Sequence, residues 1–358
     1  MDLQQLGWNP FFEAHFNETA RDGSIAARVI CEQKQLYTVS TEFGEMEARV
    51  SGKLIHTASS RADFPAVGDW VVVAPRPEER KATIQAILPR RSKFCRKVVS
   101  TRTEEQVVAA NVDTVFLVSG LGANFNLRRI ERYLTLAWDS GASPVILLNK
   151  ADLCTDVETA ISDVGEVAPG VPVYAVSALE KTGLETIAGH LGEGRTGAVL
   201  GSSGVGKSTL INSLVGREVL ETGPVRPADG KGRHVTSTRE LVMIPSGGMM
   251  IDTPGMRELQ LWAEEDSLHG SFEDIEGLAG ACRFRDCSHE AEPGCAIREA
   301  IEKGELDEGR YRSYLKLQKE IMLLSMRKEQ RARIKETRFK EIAKWSRQWK
   351  KIDPKGRD

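Results

Sequence analysis

The stretch that decides how this chain folds is GSSGVGKST, residues 201–209. The apolar run TGAVLG (196–201) leads into it, and the helix-forming segment KSTLINSLVG (207–216) leads away. Strand, glycine-rich turn and helix in that order, spaced G-x-x-x-x-G-K-[ST], make a loop built to hold phosphates. Gly201, Gly204 and Gly206 let the backbone curl so that successive N–H groups point inward at phosphate oxygens. Lys207 brings an ammonium to the β- and γ-phosphates, and the Ser208 hydroxyl is placed to ligate Mg²⁺. The expected phosphate-binding set is Gly201, Ser202, Ser203, Gly204, Val205, Gly206, Lys207, Ser208 and Thr209.

Upstream of this loop the chain alternates between strand and helix. VDTVFLVS (112–119), SPVILLNK (143–150) and VPVYAVSA (171–178) read as buried strands. NLRRIERYLTLAWDSG (126–141) reads as an amphipathic helix stopped by Gly141, with further helical segments around Ala160 and Ile187. Such alternation predicts a parallel sheet with helices on both faces, an α/β domain.

The base is set by short motifs at strand ends. In NKAD (Asn149, Lys150, Ala151, Asp152) the carboxylate can accept from both N1–H and N2–H₂ of guanine, a donor pair adenine lacks. Asn149 can meet the N7/O6 edge, and the Lys150 stem can lie over the ring. Ser177 and Ala178 of SAL end the next strand, where backbone N–H groups reach guanine O6. IDTPG (251–255) ends a further strand with Asp252, which can hold Mg²⁺ through water, followed by Gly255. A site of this kind rejects the wrong base because its polar groups would be left unpaired. GTP is the expected ligand; an ATPase would be revealed by ATP competing with GTP.

Residues 24–88 follow a different rhythm. SIAARVI, QLYTVS, EMEARVSG, GDWVVVAP and ATIQAIL are short runs bounded by turn residues. They predict a five-stranded Greek-key barrel of the oligonucleotide-binding (OB) type. Arg49, Lys53 and Tyr37 are its exposed basic and aromatic candidates, with Trp70 a core residue. A chain of 358 residues exceeds one hydrophobic core. The expected division is a barrel over 1–105, the α/β domain over 106–265 and a small helical domain over 266–358.

That last domain carries Cys282-x₄-Cys287-x-His289-x₅-Cys295. Three thiolates and an imidazole within fourteen residues match a closed tetrahedral structural Zn²⁺ site, with no open position for catalysis. The remaining cysteines, Cys31, Cys95 and Cys154, are scattered. The opening MDLQQLGWNP lacks a secretory pattern and no apolar run approaches a membrane span, so a cytoplasmic, reduced protein is expected.

A net charge of −2 argues at first against a polyanionic partner. From Arg310 to Asp358, however, there are 17 Lys/Arg and 6 Asp/Glu, a net of +11, against −13 for the rest. This tail interleaves its basic residues with Phe339, Trp345 and Trp349, a composition suited to RNA phosphates and stacked bases. An anionic membrane surface is the lesser alternative.

The order of the motifs is unusual. NKAD and SAL precede GKS, while DTPG follows it, a rotation of the order in Ras-like GTPases. With a barrel before and a Cys/His cluster after, nearly the whole chain resembles the RsgA (YjeQ) family of circularly permuted GTPases. The resemblance implies a cytoplasmic, monomeric GTPase that acts late in maturation of the 30S ribosomal subunit, binds its rRNA and is stimulated by it. GKGRHVTSTRE (230–240) resembles the family's first switch. Thr236 is the choice for closing on Mg²⁺ and γ-phosphate, with Thr238 a competitor, since Val235 and Ser237 interrupt the usual threonine run. His234 is the candidate for orienting water, and Lys207 completes the catalytic set. Met256 stands where Ras-like enzymes place a water-orienting Gln, so slow intrinsic hydrolysis is expected. A GTP-gated RNA-binding scaffold with incidental hydrolysis is the alternative.

Overall fold

Alternation in residues 25–87 becomes a closed barrel. The computed structural model describes residues 2–33, 36–99, 103–122, 125–218, 239–252, 266–289, 292–319 and 321–322, and the chain divides into two compact units, Met1–Gln260 and Leu261–Asp358. The first unit begins with helix α1 (Pro10–Thr19), then β1 (Ile25–Gln33), β2 (Leu36–Thr41), β3 (Gly44–Val50), α2 (Gly52–Thr57), β4 (Trp70–Arg76) and β5 (Lys81–Ile87). The strands run in the order β1-β2-β3-β5-β4 and close by pairing β4 with β1. Every pair is antiparallel except β3–β5. Ala27 and Val29, Tyr37 and Val39, Met46 and Ala48, and Val71 and Val73 sit two apart and fill the interior.

That alternation corrects one expectation. Tyr37 shares the inward set with Val39 and is only 3% exposed, so it is core rather than a surface aromatic. Arg49 and Lys53 are exposed, and Trp70 is fully buried. The aromatic side chain that the barrel does present is Phe43, at the β2–β3 turn.

Two elements escape the sequence pattern. Helix α1 is capped by the Asn9 side chain, which accepts from the Phe11 N–H, and starts on Pro10. Phe12 is its one buried side chain, set with Trp8 against Trp70. So narrow an apolar face leaves little periodic signal. Strands β6 (Lys93–Val99) and β7 (Thr103–Ala110) form a separate antiparallel hairpin.

The α/β part follows: β8 (Thr114–Gly120), α3 (Leu127–Ser140), β9 (Ser143–Asn149), α4 (Val157–Val167), β10 (Val173–Val176), α5 (Leu184–His190), β11 (Thr196–Leu200), α6 (Lys207–Val215), β12 (Arg239–Met243) and β13 (Met249–Asp252). Helix α3 lies where its pattern places it, with Asn126 accepting from the Arg129 N–H and Gly141, at φ 81°, ending it in the left-handed region. The strands are ordered β10-β9-β8-β11-β13-β12, parallel apart from β12. The chain leaves β8 toward β9 on one side and β11 toward β13 on the other. The crevice at the carboxyl ends of β8 and β11 is therefore the topological switch point, where such sheets bind ligands.

Barrel and α/β part are hydrogen-bonded to each other. β12 pairs with β13 and also with β1, Cys31 opposite Glu240, so a single eleven-stranded sheet runs through both. At the junction lies Arg28, 1% exposed. It donates to the carbonyls of Leu6, Gly68 and Asn111 and to the Thr196 hydroxyl. Burial pushes its pKa down to about 10, against the upward pull of Asp113 and Asp69.

The second unit contains α7 (Asp266–Gly280), α8 (Ala296–Glu302) and helical backbone over 308–319. Phe272, Ile275, Ile297 and Leu317 are buried. Arg310 clamps Asp274 through two bonds of 2.9 and 2.8 Å and lies over the Phe272 ring. Apart from its first turns, the basic tail lies outside the described residues. No helix among the described residues is long and apolar enough to cross a membrane.

Candidate nucleotide site and metal centre

The phosphate loop occupies the switch point. β11 ends at Leu200, the chain turns through 201–206, and α6 begins at Lys207 with Gly206 as its left-handed N-cap (φ 95°). The first-turn N–H groups of α6 and the positive end of its dipole face the crevice. Packing explains the glycines. A Cβ at Gly201 would lie 2.4 Å from the Val118 carbonyl oxygen, and one at Gly206 would lie 2.3 Å from Asn149 Nδ2. Val205 is buried in the α/β core and anchors the loop from beneath. Ser203 is exposed, while Ser202, Gly204, Ser208 and Thr209 are partly covered. Lys207 Nζ donates to the carbonyls of Gly201 and Ser202 at 2.6 and 2.5 Å, so its ammonium is held at the mouth of the loop.

NKAD is joined directly to this loop. Asn149, 2% exposed, donates from Nδ2 to the Val205 carbonyl at 2.8 Å and accepts at Oδ1 from the Ala178 N–H at 3.0 Å. One carboxamide thus ties the phosphate loop, NKAD and SAL together. Lys150, at φ 67°, turns the chain into the 3-10 turn 151–153 that begins at Ala151, and its Nζ donates to the Gly204 carbonyl at 2.8 Å. The Ser177 hydroxyl donates to Asp152 Oδ1 at 2.5 Å, fixing that carboxylate, and accepts from the Glu180 N–H. Ser213 of α6 donates to the Ala178 carbonyl, holding SAL from the other side. The roles of Val205, Ser177 and Ser213 as mutual supports are not announced by the motifs. They depend on distances between loops.

The remaining candidates are less fully placed. Asp252 ends β13, whose pairing with β11 brings that end to the same edge of the sheet. His234, Thr236, Thr238, Gly255 and Met256 lie outside the described residues.

In the second unit, ligand atoms of Cys282, Cys287, His289 and Cys295 all lie within 4.8 Å of one another. His289 Nδ1 is 3.5 Å from Cys282 Sγ and 3.4 Å from Cys295 Sγ. Sulfurs at about 2.3 Å from a common tetrahedral centre would be about 3.8 Å apart, so the donor set and its spacing fit one zinc ion. Desolvation opposes ionisation of Cys282, but the N–H groups of Ala296 and Ile297 at the start of α8, with the neighbouring thiols, outweigh it and hold its pKa below the ordinary thiol value.

Comparison with known proteins agrees with this geometry. The family model described as RsgA GTPase matches residues 87–262. The "Small ribosomal subunit biogenesis GTPase RsgA" of Opitutus terrae is 45% identical, with 99% of each chain covered. The chain belongs to the RsgA GTPase family. A second RsgA relative, from Oceanobacillus iheyensis, is 46% identical over 94% of this chain and 97% of its own. Among solved structures, YjeQ from Thermotoga maritima superposes with TM-score 0.61 at 27% identity, covering 84% of this chain and 99% of that one. YloQ, described as a circularly permuted GTPase, does so with TM-score 0.59 at 27% identity, covering 84% and 96%. A further model, described as a 50S ribosome-binding GTPase, matches 196–352. It starts on β11 and leaves NKAD outside its span, as a permuted order requires. This RsgA chain is thus an OB-type barrel, a circularly permuted P-loop GTPase and a helical region whose Cys/His cluster can bind zinc.

Proposed function

We propose that this chain hydrolyses GTP to GDP and phosphate late in maturation of the 30S ribosomal subunit, with hydrolysis stimulated by the subunit. The observation that carries the GTP reading is the Asn149 carboxamide, which joins the phosphate loop to the Ala178 N–H beside the Asp152–Ser177 pair. The relatives from Opitutus terrae and Oceanobacillus iheyensis, both named small ribosomal subunit biogenesis GTPases, support the ribosomal subunit as partner. Gly201 to Thr209 bind the phosphates, Lys207 neutralises them, and Asp152 reads the base with Ser177 and Ala178. Ser208 and Asp252 are the residues that would hold Mg²⁺, which when bound offsets charge on the β- and γ-oxygens. His234 and Thr236 are retained as candidates for orienting water and closing on the γ-phosphate.

Residues 1–105, 106–265 and 266–358 are proposed as barrel, GTPase and zinc domains of a cytoplasmic monomer. The zinc folds a module whose own apolar core is small. Exposed Arg49 and Lys53 and the basic tail supply contacts to rRNA. A GTP-gated scaffold with incidental hydrolysis is favoured by Met256, which has no amide to orient water. Turnover of GTP with and without purified 30S subunits separates the two. Stimulation of tenfold or more supports the GTPase cycle, and turnover indifferent to subunits leaves the scaffold.

A further inference from the structure

Arg129 belongs to none of the nucleotide motifs, yet its Nη1 donates to the Ser202 hydroxyl of the phosphate loop at 3.3 Å. Its position is well defined. The Asn126 side chain caps its backbone N–H at 3.0 Å, fixing it in the first turn of α3. β8, which leads into α3, pairs over Thr114–Leu117 with Gly197–Leu200 of β11, which leads into the phosphate loop. Lys207 Nζ meets the same residue from the other end, at the Ser202 carbonyl. An ammonium and a guanidinium therefore converge on one residue of the loop.

Both groups are cationic, so a polyanion seated in the loop is attracted by each of them. A triphosphate is such an anion. In a loop of this type the amides nearest the following helix hold the α- and β-phosphates and the lysine spans β and γ. On that reading the opposite limb, 201–203, is the one left to the γ-phosphate, and Arg129 bonds to Ser202 of that limb. A guanidinium is planar, permanently charged and able to pair two oxygens at once, so it suits a transferring phosphoryl group better than a lysine.

We propose that Arg129 is a catalytic residue supplied in cis. When GTP occupies the loop, the guanidinium exchanges its bond to Ser202 for the γ-phosphate and stabilises the charge that develops on its oxygens during attack by water. This rests on the reading of the loop as a GTP site. It also addresses the chemistry left open by Met256, since an arginine stabilises the transition state without having to orient the water.

The test uses the full-length protein with the variants Arg129→Ala, Arg129→Lys and Arg129→Gln. Turnover is measured with saturating 30S subunits, together with affinities for fluorescent GDP and a non-hydrolysable GTP analogue and the thermal midpoint. Arginines acting this way are worth about 10³-fold or more in rate. Arg129→Ala should therefore lower kcat by at least about 10²-fold, with a smaller change in KM. Affinity for the GTP analogue should fall relative to GDP, whose own affinity should stay within about twofold, and Arg129→Lys should recover part of kcat. A variant with kcat within about twofold of wild type overturns the assignment. Equal losses of GDP and GTP-analogue affinity also overturn it, since they would mean that Arg129 only braces the loop. If the alanine variant does not fold, the lysine and glutamine variants carry the same comparison. Wild-type protein that binds neither nucleotide would overturn the GTP reading itself, whereas normal wild-type turnover with indifferent variants removes Arg129 alone.

Discussion

The Asn149 carboxamide donates to the Val205 carbonyl at 2.8 Å, joining the end of β9 to the phosphate loop across the carboxyl edge of the sheet. Its oxygen accepts from the Ala178 N–H, so NKAD, SAL and the phosphate loop share one buried side chain. Replacing it by alanine strands a buried carbonyl and a buried N–H, each at a cost of about 1–3 kcal/mol. Asn149→Ala is expected to weaken GDP binding by about tenfold or more, as measured by titration with fluorescent GDP. Affinity within twofold of wild type would show that the loops keep their places without it.

Glycines of the same loop are held to their identity by space. Gly201→Ala puts a Cβ 2.4 Å from the Val118 carbonyl oxygen, a backbone atom inside the sheet, and should abolish measurable nucleotide binding. Gly189→Ala is the matched control, because in α5 a Cβ at that position meets nothing within 4 Å. It should leave binding intact and raise stability by about 0.5–1 kcal/mol through helix propensity. The two variants are compared by nucleotide titration and urea unfolding.

Arg28 carries the junction between barrel and α/β part. Arg28→Met removes the donors to the Leu6 and Asn111 carbonyls and to the Thr196 hydroxyl, while the Gly68 carbonyl keeps its bond from Asn111 Nδ2. A loss of about 3–5 kcal/mol is expected, seen as a lower urea midpoint. An unchanged midpoint would mean that water replaces the guanidinium at little cost.

Metal removal should act on the second unit. Chelation, or Cys287→Ser, is expected to release one zinc per chain and reduce helical signal from Leu261–Asp358, while GDP affinity changes by less than about twofold. Zinc affinity should fall as pH drops, because protons compete for the three thiolates and the imidazole. Release is followed with a colorimetric zinc indicator and helicity by circular dichroism. Metal loss that leaves the helical signal intact would refute a folding role.

Asp63 gives a pH dependence of known sign. Desolvation raises its pKa, but the N–H and hydroxyl groups of Ser59 and Ser60 all donate to its Oδ2 and bring the value below the ordinary aspartate range. A depressed folded-state pKa stabilises above the unfolded value, about 3.9, and that contribution is lost as pH falls through the folded one. Asp63→Asn should therefore be less stable at pH 7 by about 0.5–1 kcal/mol, allowing for exposure, with the gap closing below about pH 4. A gap constant from pH 7 to pH 3 would contradict the role of the charge.

Much of this molecule can be read from local pattern. The phosphate loop, NKAD and SAL lie at strand ends because the strands flanking them are apolar runs, and α3 begins and ends at Asn126 and Gly141 as capping chemistry requires. The barrel strands were legible through two-residue alternation, yet the same alternation places Tyr37 inside the barrel. Helix α1 and the β6–β7 hairpin were not legible. The helix buries one phenylalanine, and the hairpin's pairing joins segments whose charged residues mask any regular pattern.

What the sequence by itself determined is the set of motifs available: a glycine-rich P-loop, NKAD and SAL, a Cys/His cluster and the permuted order in which they occur. Those follow from residue types at short spacings, which the covalent chain enforces. What only the tertiary structure decided is how distant segments support one another. Asn149 meets Val205 across 56 residues, Arg129 meets Ser202 across 73, and Arg28 meets Thr196 across 168. Hydrogen bonds of that reach depend on strand order and packing, which no local window of sequence contains.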